Sequence, residues 1–137
     1  MRRLCVRVLA ALAAIFLAGC AVEGPAFQKP ALTQQQSVVY VYRPYSSFGA
    51  AVVPAVNCGD HSIALGPGGY HAFVVDPGTI RCNVYSERTS QVEIDVQPGQ
   101  EYFVRETPHW GILVARFDLE IPNPGEGPEE VRDCKLQ

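Results

Sequence analysis

Cysteine, histidine and carboxylate side chains are the chemistry-bearing residues of this 137-residue chain, and their spacing is the first guide to what they do. Cys58 shares a strand phase with Val56, and Cys82 shares one with Ile80 and Val84. Both cysteines therefore point inward if these segments are strands. A Cys58–Cys82 bridge would close a loop of about 24 residues and contribute about 3 kcal/mol. Two buried free thiols are the first alternative, since free cysteine packs as a small apolar group. Pairing of Cys134 with either one is the second, and would pin the C-terminal tail. His61, His71 and His109 form no H-x-x-x-H and no Cys/His pair at ligand spacing, so no metal site is expected. The carboxylates of Glu87, Glu93, Asp95, Glu101, Glu106, Asp118 and Glu120 are scattered. Nothing selects two of them to face each other across a cleft as glycoside hydrolysis requires. Ser46-Ser47 lacks a nucleophile-elbow setting, and Gly66 to Gly69 precedes no helix that would cradle a phosphate. The expectation is a non-enzyme with no catalytic residue and no cofactor.

Aromatic side chains give the better site candidates. Tyr42, Arg43, Tyr45 and Phe48 surround Pro44 in a long connection that runs to Pro54, and Trp110 lies in a second loop beside His109. Loops on a rigid scaffold carry binding residues, and Tyr, Trp and Arg dominate contact energetics. The competing assignment has Tyr42 and Phe48 capping a core and Arg43 pairing with a carboxylate.

The N-terminus places these loops in a compartment. Arg2, Arg3 and Arg7 precede Val8 to Leu17, an unbroken apolar run of ten residues. That is the charged and apolar order of a secretory signal, and it is too short to span a bilayer. It ends in Leu17-Ala18-Gly19-Cys20, which resembles the lipobox of bacterial lipoproteins. The resemblance implies cleavage before Cys20 and acylation of its sulfur and amine; an ordinary signal peptide with a chance cysteine is the alternative. Several acyl chains hold a protein on a membrane where one chain holds only marginally. Ala21 stands where the inner-membrane retention signal of Gram-negative lipoproteins has Asp, which implies the periplasmic face of the outer membrane in such a cell.

Removing the leader takes three arginines from 11 basic residues and leaves 8 against 14 acidic ones, a net charge of −6 on residues 20–137. That balance lacks the basic footprint of a nucleic-acid binder and of a polybasic contact with anionic lipid. The expected partners are the membrane, through the lipid, and an envelope protein or peptidoglycan. Three cysteines remain beside Cys20, and an export compartment permits one disulfide among them.

The elements that must position these residues read as β throughout. Residues 20–37, with Pro25, Pro30 and Gln34-Gln35-Gln36, read as a lipidated N-terminus and flexible tether. Such a coil would hold the domain about 20–25 Å from the membrane. Val38 to Tyr42 is β-branched and aromatic on both phases and suits a strand covered on both faces. Further strands are expected at Ala55–Cys58, His61–Leu65, Tyr70–Val75, Thr79–Ser86, Gln91–Val96, Glu101–Glu106 and Ile112–Ile121. Gly59-Asp60, Pro77-Gly78 and Pro98-Gly99 supply turns. Residues 38–121 thus form an immunoglobulin-like β-sandwich of about seven to eight short strands, with a small barrel as alternative. The Cys…Trp…Cys hallmark of antibody domains is missing, so this likeness is one of architecture. Residues 122–137 read as a Pro/Gly-rich acidic tail, ending in a short helix or an extended segment.

Val39-Tyr40-Val41-Tyr42-Arg43-Pro44, Gly69 to Gly78, Pro98 to Arg105 and the final Cys134-Lys135-Leu136 together resemble a family of short bacterial lipoproteins of unknown function. The layout also resembles small surface β modules named for a Pro-Glu-Gly-Ala motif. The resemblance spans residues 37–136 and implies fold and location without catalytic residues; Cys58 and Cys82 depart from the commoner pattern. The functional expectation is a lipid-anchored envelope protein that binds or supports. A peptidoglycan- or carbohydrate-binding module is one rival; an envelope enzyme or enzyme inhibitor is another, and a redox role for the odd thiol a third.

Overall fold

The computed structural model describes residues 22–137. The expected signal peptide, residues 1–19, and the expected lipidation site, Cys20, lie outside the described residues. Among the described residues, nine strands form two packed sheets: β1 (Ser37–Tyr42), β2 (Ala55–Cys58), β3 (His61–Ala64), β4 (Gly69–Val75), β5 (Gly78–Tyr85), β6 (Thr89–Val96), β7 (Glu101–His109), β8 (Arg116–Glu120) and β9 (Lys135–Leu136). One sheet has the order β8-β7-β1-β4-β9 and the other β3-β2-β5-β6. The protein is a β-sandwich. Within the five-stranded sheet, β1 lies between β4 and β7, antiparallel to the first and parallel to the second.

Local sequence sets most of this. Gly59, at φ 57°, makes the two-residue turn between Cys58 and His61, so β2 and β3 form the expected hairpin. The Pro77-Gly78 and Pro98-Gly99 turns instead carry the chain from one sheet to the other, between β4 and β5 and between β6 and β7. Val92, Ile94 and Val96 alternate with Glu93 and Asp95, and β6 accordingly exposes one face.

Every residue of β1 is buried. Val39 and Val41 enter the core between the sheets with Val56, Val84, Val104, Phe117 and Leu119. Val38, Tyr40 and Tyr42 face the other way into a second cluster with Tyr70, Val131 and Cys134. The cover of that second face comes from the two segments expected to be tether and tail. Phe27 lies 5.3 Å from the Tyr40 ring and 5.1 Å from the Tyr70 ring, and Leu32 packs beside them. Ala26 bridges to Lys135, and the Leu136 amide donates to the Pro25 carbonyl. Val22 to Gln36 thus runs the length of the five-stranded sheet, from Pro67 at one end to Gly99 at the other. Phe27, Leu32, these backbone bonds, the bond from the Gln28 amide to the Tyr70 hydroxyl and the Lys29–Glu101 pair hold it there. The tail adds helix α1 (Glu126–Glu130), a 3-10 turn (Val131–Asp133) and β9. Tyr42 donates its hydroxyl to Glu130 at 2.5 Å, and Arg105 donates to the same carboxylate at 2.8 Å, which docks α1 on the sheet.

Two strand boundaries differ from the sequence reading by three residues or more. β7 runs on through Thr107, Pro108 and His109, which were expected to form a loop. Pro108 is tolerated because β1 has ended opposite Arg105, leaving β7 without that neighbour. β8 starts at Arg116, so Ile112 to Ala115 is a loop where a strand was expected.

Candidate functional site

β1 and β7 run parallel and finish at the same end of the sandwich. The β1–β2 connection (43–54) and the β7–β8 loop (110–115) therefore emerge side by side. Phe48 and Trp110 meet there, with ring centroids 4.6 Å apart. Trp110 is 84 % exposed, Ile112 93 %, Leu113 90 % and Tyr45 65 %. Phe48, Trp110 and residues 111–115 line a shallow cavity of about 250 Å³.

One carboxylate holds this loop in shape. Glu87, in the β5–β6 turn, accepts the backbone amides of Ile112 at 2.7 Å, Val114 at 3.0 Å and Leu113 between them. The amides of Leu113, Ile112 and Val114 keep its carboxyl below the usual range. Only glycine fits at position 111, because a side chain there would run into the Val114 carbonyl and the Glu87 carboxylate. This explains why an apolar run with strand composition leaves the sheet: three successive amides turn to one acceptor. No periodicity in the sequence signals that capture, so Glu87 was missed as a site residue.

The structure separates the five binding candidates. Phe48 and Trp110 meet at the loop end, whereas Tyr45 is exposed at the same end but apart from them, against Gly68 and beside Pro108 and Glu130. Tyr42 and Arg43 are buried and present nothing to a ligand, which corrects their place among the binding residues. Arg43 donates to the carbonyls of Val52 at 2.9 Å, Leu65 at 3.2 Å and Gly49 at 2.8 Å. Its guanidinium also lies 4.5 Å from the centre of the Phe117 ring. It is the strut that folds the long 43–54 connection back on the core, and its acidic neighbour is Glu106, 4.0 Å away. Arg43 thus has the core role of the competing assignment, but its donors go to carbonyls and none goes to Glu106. Phe48 stays half-buried and serves both roles.

No known family model matches the chain, and no curated protein is significantly similar to it.

The remaining chemistry-bearing groups stay apart. Cys58 and Cys82 stand opposite each other on β2 and β5 and form the disulfide, with Cα atoms 4.1 Å apart. Cys134 is free and buried, and burial pushes its thiol up to about 12. His61 and His71 flank Phe73, and His71 Nδ1 meets the Gln137 carbonyl at 2.5 Å. His109 lies 3.7 Å from Asp118. Glu93 is paired with Arg81 on the outer face of β5 and β6. Among the described residues, no three His, Cys, Asp or Glu side chains converge on a point that could hold a metal ion.

Proposed function

We propose that this chain is a lipid-anchored protein of the bacterial cell envelope, held through Cys20, whose β-sandwich acts as a non-catalytic binding or structural module. In a Gram-negative cell Ala21 favours the periplasmic face of the outer membrane. The observation that carries the module reading is the character of its organised surface: a braced pair of loops presenting Tyr45, Phe48 and Trp110. Such a surface binds through apolar area and supplies no nucleophile and no acid–base pair. The lipobox supports the anchor, and the kinship with short lipoproteins of unknown function belongs to the same proposal.

Glycan binding is the second reading. Tyr45 and Trp110 both offer exposed rings, as sugar stacking requires. Photo-cross-linking in cells from positions 45 and 110 separates the two: glycan adducts favour the second reading, protein or lipid adducts the first. Mass spectrometry of the mature N-terminus tests the anchor. An unmodified residue 20 in protein recovered from the membrane fraction would sink it.

A further inference from the structure

The anchor and the apolar loops leave the sandwich at the same end. The Val22 amide donates to the Pro67 carbonyl at 3.5 Å, just before the start of β4. β4 is antiparallel to β1, so its start lies beside the end of β1, where the 43–54 connection begins. β7 is parallel to β1, so the Trp110 loop also lies at that end. Cys20 is two residues from Val22, a span of no more than about 7 Å.

We propose that this end of the sandwich rests on the membrane that holds the lipid, with Trp110, Ile112 and Leu113 entering the layer between headgroups and acyl chains. The inference rests on acylation of Cys20 and names the partner of the loop surface described above. Acyl chains on Cys20 leave too little chain to hold this end clear of the bilayer. The expected free tether of 20–25 Å is not available, because Val22 to Gln36 lies along the five-stranded sheet. In that sheet β9, beside the anchor, and β8, beside the loop, form opposite edges. Four strand spacings of about 4.8 Å put them about 19 Å apart. Lipid and loop are thus two supports for one plane.

Charge points the same way. The two loops of this end, residues 44–54 and 110–115, hold no Asp, Glu, Lys or Arg, although residues 20–137 carry a net −6. The carboxylate beneath the loop, Glu87, is engaged by three amides. A Trp beside branched aliphatic residues is the composition of an interfacial anchor. A loop already braced loses little freedom on insertion. The acidic remainder gives anionic lipid nothing to attract, so the contact is apolar and insensitive to salt.

Trp110 is the single tryptophan of the chain, so its fluorescence reports on this loop alone. The full-length protein, purified from membranes, is reconstituted into phosphatidylcholine vesicles with and without brominated acyl chains. The expected result is flotation with the vesicles, blue-shifted Trp110 emission and quenching by the brominated lipid, unchanged between low and high salt. Ile112→Asp/Leu113→Asp should float equally well and lose the blue shift and most of the quenching; both positions are solvent-exposed, so the fold is kept. Flotation with Trp110 emitting as in water overturns the inference and leaves the anchor intact. Failure to float, with residue 20 unmodified, overturns the anchor and the inference together. A protein captured from position 110 in cells, with no lipid adduct, also overturns it.

Discussion

Arg43 and Glu106 are fully buried, with guanidinium and carboxyl 4.0 Å apart, and neither Glu106 oxygen accepts a hydrogen bond. Arg43 spends its donors on three carbonyls instead. Burial lifts the Glu106 carboxyl from 4.5 to about 8, against the opposing pull of Arg43. Folded Glu106 therefore keeps its proton where the unfolded chain has released it. Stability is full below about pH 4.5 and falls as pH rises from there to about 8, by up to about 1.4 kcal/mol per pH unit. Glu106→Gln should flatten the decline, read as urea midpoints between pH 5 and 9; an unchanged slope would contradict a protonated Glu106. Arg43→Lys should cost about 1–3 kcal/mol for each buried carbonyl left without a donor, because one ammonium does not reach the carbonyls that the guanidinium fork spans.

The disulfide and the odd thiol should respond differently to the same reagents. Reducing Cys58–Cys82, which joins positions 24 apart in sequence, should lower stability by about 3 kcal/mol. Native Cys134 should resist alkylation and react only as the chain unfolds, since it is buried and its thiol stands near 12. Rapid labelling of Cys134 in folded protein would reopen a redox role for it.

Phe27 ties the N-terminal segment to the five-stranded sheet. Phe27→Ala should cost about 2 kcal/mol, below the range for a fully buried Phe because this ring is half-exposed. The local effect should be larger than the global one: hydrogen exchange at the amides of Gln28 and Leu136, which are bonded to the Tyr70 hydroxyl and the Pro25 carbonyl, should speed up far more than exchange in the core strands. Equal exchange in variant and parent would mean the segment is loose already.

Glu87→Ala removes the acceptor of three loop amides. Hydrogen exchange at residues 112–114 should speed up, and Trp110 anisotropy should fall, while the core amides keep their protection. The carboxyl lies below its usual 4.5, so this brace is present near neutral pH and is lost only as pH drops well under that value. Loop exchange that does not change in the variant would leave the bracing role without support.

The sequence by itself determined the strands, the turns and the inward phase of Cys58 and Cys82, because period-two patterning and Pro-Gly or Gly-Asp turns act over a few residues. It also showed that Val38 to Tyr42 needs cover on both faces. Only the tertiary structure decided what provides it: Phe27 and Leu32 from one terminus, Val131 and Cys134 from the other. Each contributes one or two apolar side chains to a polar segment, too few to form a pattern. Arg43 and Trp110 looked alike as loop residues. Their separation, one buried beneath the connection and one held out in water, depends on acceptors at Val52, Leu65 and Glu87 that stand 9, 22 and 25 residues or more from the donors they satisfy. Contacts across such distances leave no local trace, because they are set by which strands pair and where they end.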